Sequence, residues 1–156
     1  MMNWVHLHLA LNHVPVLGTL FIGILLVTAL VKRSDELMRL SLIGLVALAM
    51  VSIPIKFTGD FAFESTANAD WMPVEIASAH EQAADQATSG MFLLGLAAAL
   101  GVYRSRGGRR LPGWLLGLTV ALVLLTFVLM ARAANLGGQL RHEEIRPANT
   151  QPETDR

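Results

Sequence analysis

The 156-residue sequence contains no cysteine. That excludes disulfides, thiolate metal sites, iron–sulfur clusters and the covalent attachment of c-type haem. Charge is scarce as well, at 15% of residues, well below the roughly 25% of an ordinary soluble domain. Twelve basic side chains balance twelve acidic ones, so no bulk basic charge is available for binding nucleic acid. What remains is apolar: 53% of residues are hydrophobic and the mean hydropathy is +0.50. A soluble domain of this length has no interior large enough for so much apolar sequence, and a membrane is the natural sink.

Uncharged runs occupy residues 14–31, 40–55, 86–103 and 111–131. A span needs about 20 apolar residues, which the first, third and fourth runs approach or meet. The second reaches it by admitting Arg39 and Lys56 near its ends, where long basic side chains snorkel to the headgroups. Backbone left unpaired in lipid is too costly, and no strand-like alternation is present, so each run is expected to be helical. The expected fold class is all-α, an integral membrane four-helix bundle with up-down-up-down topology. Helices are expected at about 5–31, 37–58, 74–103 and 111–136, forming one transmembrane domain over residues 1–145. Residues 146–156 are polar, with nothing to bury, and are expected to form a disordered tail. The first run has no basic segment before it and is followed by Lys32 and Arg33, so it reads as a retained anchor.

Basic residues set the expected orientation. Lys32, Arg33 and Arg39 follow the first span, and Arg104, Arg106, Arg109 and Arg110 follow the third. With only Asp35 and Glu36 beside them, seven basic against two acidic residues leave +5 on that side. The other side holds five basic and ten acidic residues, or −5. The neutral total therefore hides a dipolar chain, with both termini expected on the outer, periplasmic side of a bacterial inner membrane.

The connection over residues 59–73 mixes Phe61, Phe63 and Trp71 with acids and small residues, a composition suited to headgroup level. Pro73 is well placed to open the third helix, which should protrude outward, with Glu81 and Asp85 on a solvated face. Pro15 and Pro54 each remove an amide hydrogen and should bend their helices. Gly113 and Gly117 form a G-x-x-x-G pair that would admit a partner helix.

All five histidines, His6, His8, His13, His80 and His142, map to the outer side. Counted from the inner helix ends, His13 lies about 27 Å up the first helix, and His8 and His80 about 35 Å up theirs. His8 and His13, five residues apart, diverge by about 140° around one helix, so they cannot share one iron. Imidazoles on different helices of a cysteine-free bundle point to a bis-histidine haem b site. The expected ligand pair is His13 with His80, and His8 with His142 is the candidate pair for a second haem. Gly18, Gly23, Gly44 and Gly90 would leave room for the macrocycle, although close helix packing explains them equally. Arg132 and Lys56 are the cations placed for haem propionates, or else simply snorkel. A copper site using histidine with Met1, Met2 or Met72 is the second reading, and interfacial histidines that bind nothing are the third.

The stretch His8-Leu-Ala-Leu-Asn-His13-Val-Pro15 resembles the H-P-x-x-x-H-F-P signature of the bacterial four-helix membrane family catalogued as domain of unknown function 2231. The resemblance extends to Thr58-Gly59, to His80 and to Leu136-Gly-Gly-Gln-Leu140, and covers roughly residues 6–145. Leu9 and Val14 stand where that family has proline and phenylalanine, and Arg141-His142-Glu143-Glu144 lacks its aromatic residue and final glycine. The resemblance implies an integral membrane protein with haem b and electron-transfer connections, and no settled enzymatic activity.

The expected function is electron transfer at the outer leaflet, between a quinol-type donor and a periplasmic c-type cytochrome steered by the acidic face. No nucleophile and base pair lies within the spans, so an enzyme is not indicated. The rival is a structural or assembly subunit of a membrane complex, docking through Gly113 and Gly117.

Overall fold

The computed structural model describes residues 3–67, 69 and 71–146. The expected disordered tail, beyond Arg146, and Met1 and Met2 lie outside the described residues. The described chain is entirely helical, with four helices long and apolar enough to cross a membrane.

The first candidate span is built from α1 (Trp4–Leu11) and α2 (His13–Lys32). Asn3 caps α1, its side chain accepting the His6 N–H at 3.2 Å. Pro15 has no N–H to return to the Leu11 carbonyl, and the helix ladder lapses there. Asn12 nevertheless stays right-handed helical and donates its N–H to the His8 carbonyl at 2.8 Å. The interruption is thus a local defect inside one 29-residue apolar segment.

At Lys32 the chain turns within two residues. Arg33 takes the left-handed conformation (φ 50°), and the Ser34 N–H returns to the Ala29 carbonyl at 3.0 Å. Ser34 then caps α3 (Asp35–Thr66), whose first turn carries Asp35 and Glu36 against the positive end of the helix dipole. This helix runs eight residues beyond the end expected at Thr58. The reason is tertiary: α1 lies along its C-terminal part, with Trp4 and Phe61 rings 4.7 Å apart and Ala62 buried. The segment expected as a headgroup-level connection is therefore helical as far as Thr66.

Helix α4 (Val74–Arg104) begins directly after Pro73, as its missing amide hydrogen predicts. A short 3-10 turn (Arg106–Gly108) leads to α5 (Gly113–Arg141), which ends five residues beyond the expected Leu136. Helix α4 packs along α5 and α3, while α2 packs on α3 and α5, closing the four-helix bundle; α1 rests chiefly on α3.

The core is made by Leu26, Leu42, Leu45, Met91, Leu94 and Leu115, all fully buried. Glycines set the helix separations. A Cβ on Gly95 would lie 2.5 Å from that of Ala49, and Gly18, Gly44, Gly23 and Gly90 face Leu48, Ile22, Val123 and Thr126. These four glycines therefore serve close helix packing, and the space expected beside them for a macrocycle is filled. Buried hydroxyls of Thr19, Ser41, Ser52 and Thr119 each donate to the carbonyl one turn earlier, which satisfies them without water. Much of the first span, including Phe21, Ile24 and Val27, is exposed on the outside of the bundle, as lipid-facing surface is.

Candidate functional site

The buried face of the first span is marked by Pro15, Thr19, Leu26 and Ala29. Extended back seven residues from Pro15, that face arrives at His8, while His13 lies two residues from Pro15 and points elsewhere. His8 is accordingly half-buried and His13 exposed.

His8 meets α3 at Thr58 and Gly59. Its Nδ1 is 3.2 Å from Thr58 Oγ1, and the Thr58 hydroxyl donates its own proton to the Ile55 carbonyl at 2.6 Å. With the hydroxyl hydrogen directed to Ile55, the Thr58 oxygen is an acceptor, a match for the His8 tautomer that carries its proton on Nδ1. Nε2 is left with a lone pair. Gly59 makes room for the ring: a Cβ there would sit 2.9 Å from His8 Cε1.

His80, on α4, repeats this arrangement against α5. Its Nδ1 donates to the Ala133 carbonyl at 2.9 Å, an acceptor with no alternative role, so again the proton is on Nδ1 and the lone pair on Nε2. Gly137 stands one turn beyond Ala133, and a Cβ on it would be 3.0 Å from His80 Cε1. Thr58, which engages His8, lies two residues from Lys56 on α3, and His80 lies five residues before Asp85 on α4, so the Lys56–Asp85 contact joins the two histidine-bearing parts of the bundle.

Lys56 lies between carboxylates. Its ammonium pairs with Asp60 one turn on and with Asp85 Oδ1 of α4 at 3.0 Å. Asp85, expected on a solvated face, in fact bridges to α3 while remaining well exposed. The sequence reading missed this link because only Lys56 and Asp60 share a helix and its i, i+4 spacing.

Of the two first-helix histidines, His8 packs against α3 and His13 is exposed, because they lie on divergent faces and packing turns the His8 face inward. His6 is exposed too. His142 is not brought to His8: it is exposed beyond α5, with Nδ1 3.1 Å from Glu144 Oε1. Of the two cations considered for propionates, Arg132 is exposed and holds Gln86 Oε1 at 3.0 Å, whereas Lys56 stands beside the histidines with two carboxylates on it. Thr58, Gly59 and Gly137 appear in the sequence only as motif residues; their role as cradles depends on which helices meet.

The candidate donors at this site are the Nε2 atoms of the two imidazoles, whose Nδ1 atoms are engaged by Thr58 and Ala133. Among the described residues, no group of three or more His, Asp or Glu side chains is arranged to hold a metal ion. Axial ligation of a haem iron requires only two imidazoles, and ligating histidines characteristically donate their other ring N–H to a carbonyl or similar acceptor. The residues therefore fit haem ligation on their donor chemistry. Comparison with family models, curated proteins and solved structures returns no match to this chain.

Proposed function

We propose that the protein is a membrane-embedded haem b electron carrier, or a subunit of one, with His8 and His80 as axial ligands. The observation that carries this reading is that both rings are engaged at Nδ1, by Thr58 Oγ1 and by the Ala133 carbonyl, which leaves Nε2 of each as the atom for a metal. Thr58 and Ala133 orient the rings, Gly59 and Gly137 give them room, and Lys56 is the cation closest to hand for a propionate. When bound, the haem would supply reversible one-electron exchange.

On this reading the helices run up-down-up-down, which the pairings of Gly18 with Leu48, Gly44 with Ile22 and Gly101 with Leu42 support. The arginine-rich turn faces the cytoplasm and both termini face the periplasm of a bacterial inner membrane, in keeping with the +5 and −5 division of charge. Electrons pass from a quinol-type donor to a c-type cytochrome at the acidic outer face. The resemblance to domain of unknown function 2231 belongs to the same proposal.

A reduced-minus-oxidised spectrum of the purified, haem-supplemented protein tests it. The expected result is a haem b band that His8→Ala and His80→Ala each abolish and His13→Ala leaves in place. A colourless preparation overturns the reading; a band lost only with His13→Ala overturns the ligand pair. A second reading, docking into a larger complex, is favoured by the open space around Gly113 and Gly117, where an added Cβ meets nothing within 4 Å. Gly117→Leu should then disrupt the complex without affecting the isolated protein.

A further inference from the structure

The end of the bundle opposite the histidines carries a cavity of about 400 Å³, lined by Tyr103, Arg104, Arg106, Gly107 and Arg109. Three exposed arginines line this open concavity, and no carboxylate does. Gly107 and Gly108 adopt positive φ of 70° and 75°, conformations open to glycine at little cost, and this tight reversal sets Arg106 and Arg109 on either side of it. Arg106 lies over the Tyr103 ring, its Cζ 5.6 Å from the centroid, a cation–π contact that restrains the guanidinium.

Tyr103 and Arg106 also line a second concavity of about 360 Å³, which continues between α3 and α4 over Ile43, Ala47, Ala99 and Val102. This part is apolar and opens on the outward-facing surface. From Ile43 to Ala47 the helix rises about 6 Å, enough for the upper carbons of an acyl chain. Arg39, one turn before Ile43, stands on the same helix face at the arginine end.

The geometry points to a binding site for one anionic phospholipid, its phosphate among Arg104, Arg106 and Arg109 and its acyl chain in the groove between α3 and α4. Arginine forks match phosphate oxygens in pairs, and basic pockets between membrane helices suit anionic headgroups. A role as topology signal accounts for basic charge in this turn. It does not account for a polar cavity and an apolar groove that meet at a restrained arginine.

The test is titration of the delipidated full chain with tetraoleoyl cardiolipin, dioleoyl phosphatidylglycerol, dioleoyl phosphatidylcholine or inorganic phosphate, followed by native mass spectrometry. The anionic lipids should bind at least about tenfold more tightly than phosphatidylcholine, and phosphate should not displace them, the difference corresponding to one charge-assisted contact or more. Arg104→Lys with Arg106→Lys and Arg109→Lys keeps the charge that directs insertion but removes the paired contacts, and should weaken anionic-lipid binding about tenfold. Ala47→Trp with Ala99→Trp fills the groove and should reduce binding of the same lipids with the arginines intact. Equal binding of phosphatidylcholine, displacement by inorganic phosphate, or full binding by both variants would overturn the assignment. None of these outcomes depends on the histidine pair.

Discussion

Replacing Gly59 by alanine places a methyl group where the His8 ring now lies. The added Cβ would be 2.9 Å from His8 Cε1 and 3.2 Å from Nδ1, whereas ordinary contact begins at 3.4 Å. Going from 2.9 to 3.4 Å requires the ring to withdraw by about 0.5 Å. The Nδ1 contact to Thr58 Oγ1 is already 3.2 Å long, at the upper end of hydrogen-bond distances, so that withdrawal breaks it. The bond itself contributes about 0.5–1.5 kcal/mol. Overpacking costs about 1–3 kcal/mol, partly offset by the roughly 0.8–1.0 kcal/mol that alanine gains over glycine within a helix. Folding should therefore survive with a modest fall in Tm, while haem affinity falls about 10- to 100-fold, as it does when a ligand loses its orienting partner. Haem titration of Gly59→Ala beside Gly117→Ala, whose Cβ meets nothing within 4 Å, separates the two effects. If both variants bind haem as the parent does, Gly59 is not a cradle and the site is wrongly drawn.

Thr58→Val keeps the shape but removes the acceptor for His8 Nδ1–H; nitrogen NMR of labelled histidine should show the His8 tautomer signal altered, with Thr58→Ser retaining it. In a thermal-unfolding cycle, Lys56→Met and Asp85→Asn should couple by about 0.5–1 kcal/mol, as a partly exposed pair does; a coupling of zero would mean that the bridge contributes nothing to α3–α4 packing. Gly95→Ala should destabilise the bundle by about 1–3 kcal/mol, because its Cβ would lie 2.5 Å from that of Ala49. Ala49→Gly should recover most of that loss, and an absence of rescue would show that the crossing is not set by this contact.

The spans were legible because long uncharged runs carry their own signal, and the Pro73 start could be located from residue type. The C-terminal end of α3 was not. Residues 59–66 contain Gly59, two acids and four aromatic or hydroxyl residues, a mixture that reads as a surface connection until α1 is laid across it. The ion pair of Asp85 was not legible for the same reason, since its partner Lys56 is on another helix and no spacing within α4 announces it.

The choice between His8 and His13 shows where the limit lies. In a helix apolar on every side, no polar stripe marks the outward face, so the inward one is fixed by what packs against it. The hint available was Thr19, a hydroxyl among aliphatics that is spaced eleven residues from His8 and so falls within about 20° of it at 100° per residue. That same phase has a consequence for function. Between the histidine end and the arginine end, the bundle is filled by Leu26, Leu42, Leu45 and Leu94, and the hydroxyls of Thr19, Ser41, Ser52 and Thr119 are each given to their own helix. No polar chain among these residues joins the two ends. On the haem reading, these hydroxyls offer no relay for a proton between the two ends, so a proton released when a quinol-type donor gives its electron to the haem would leave at the histidine end.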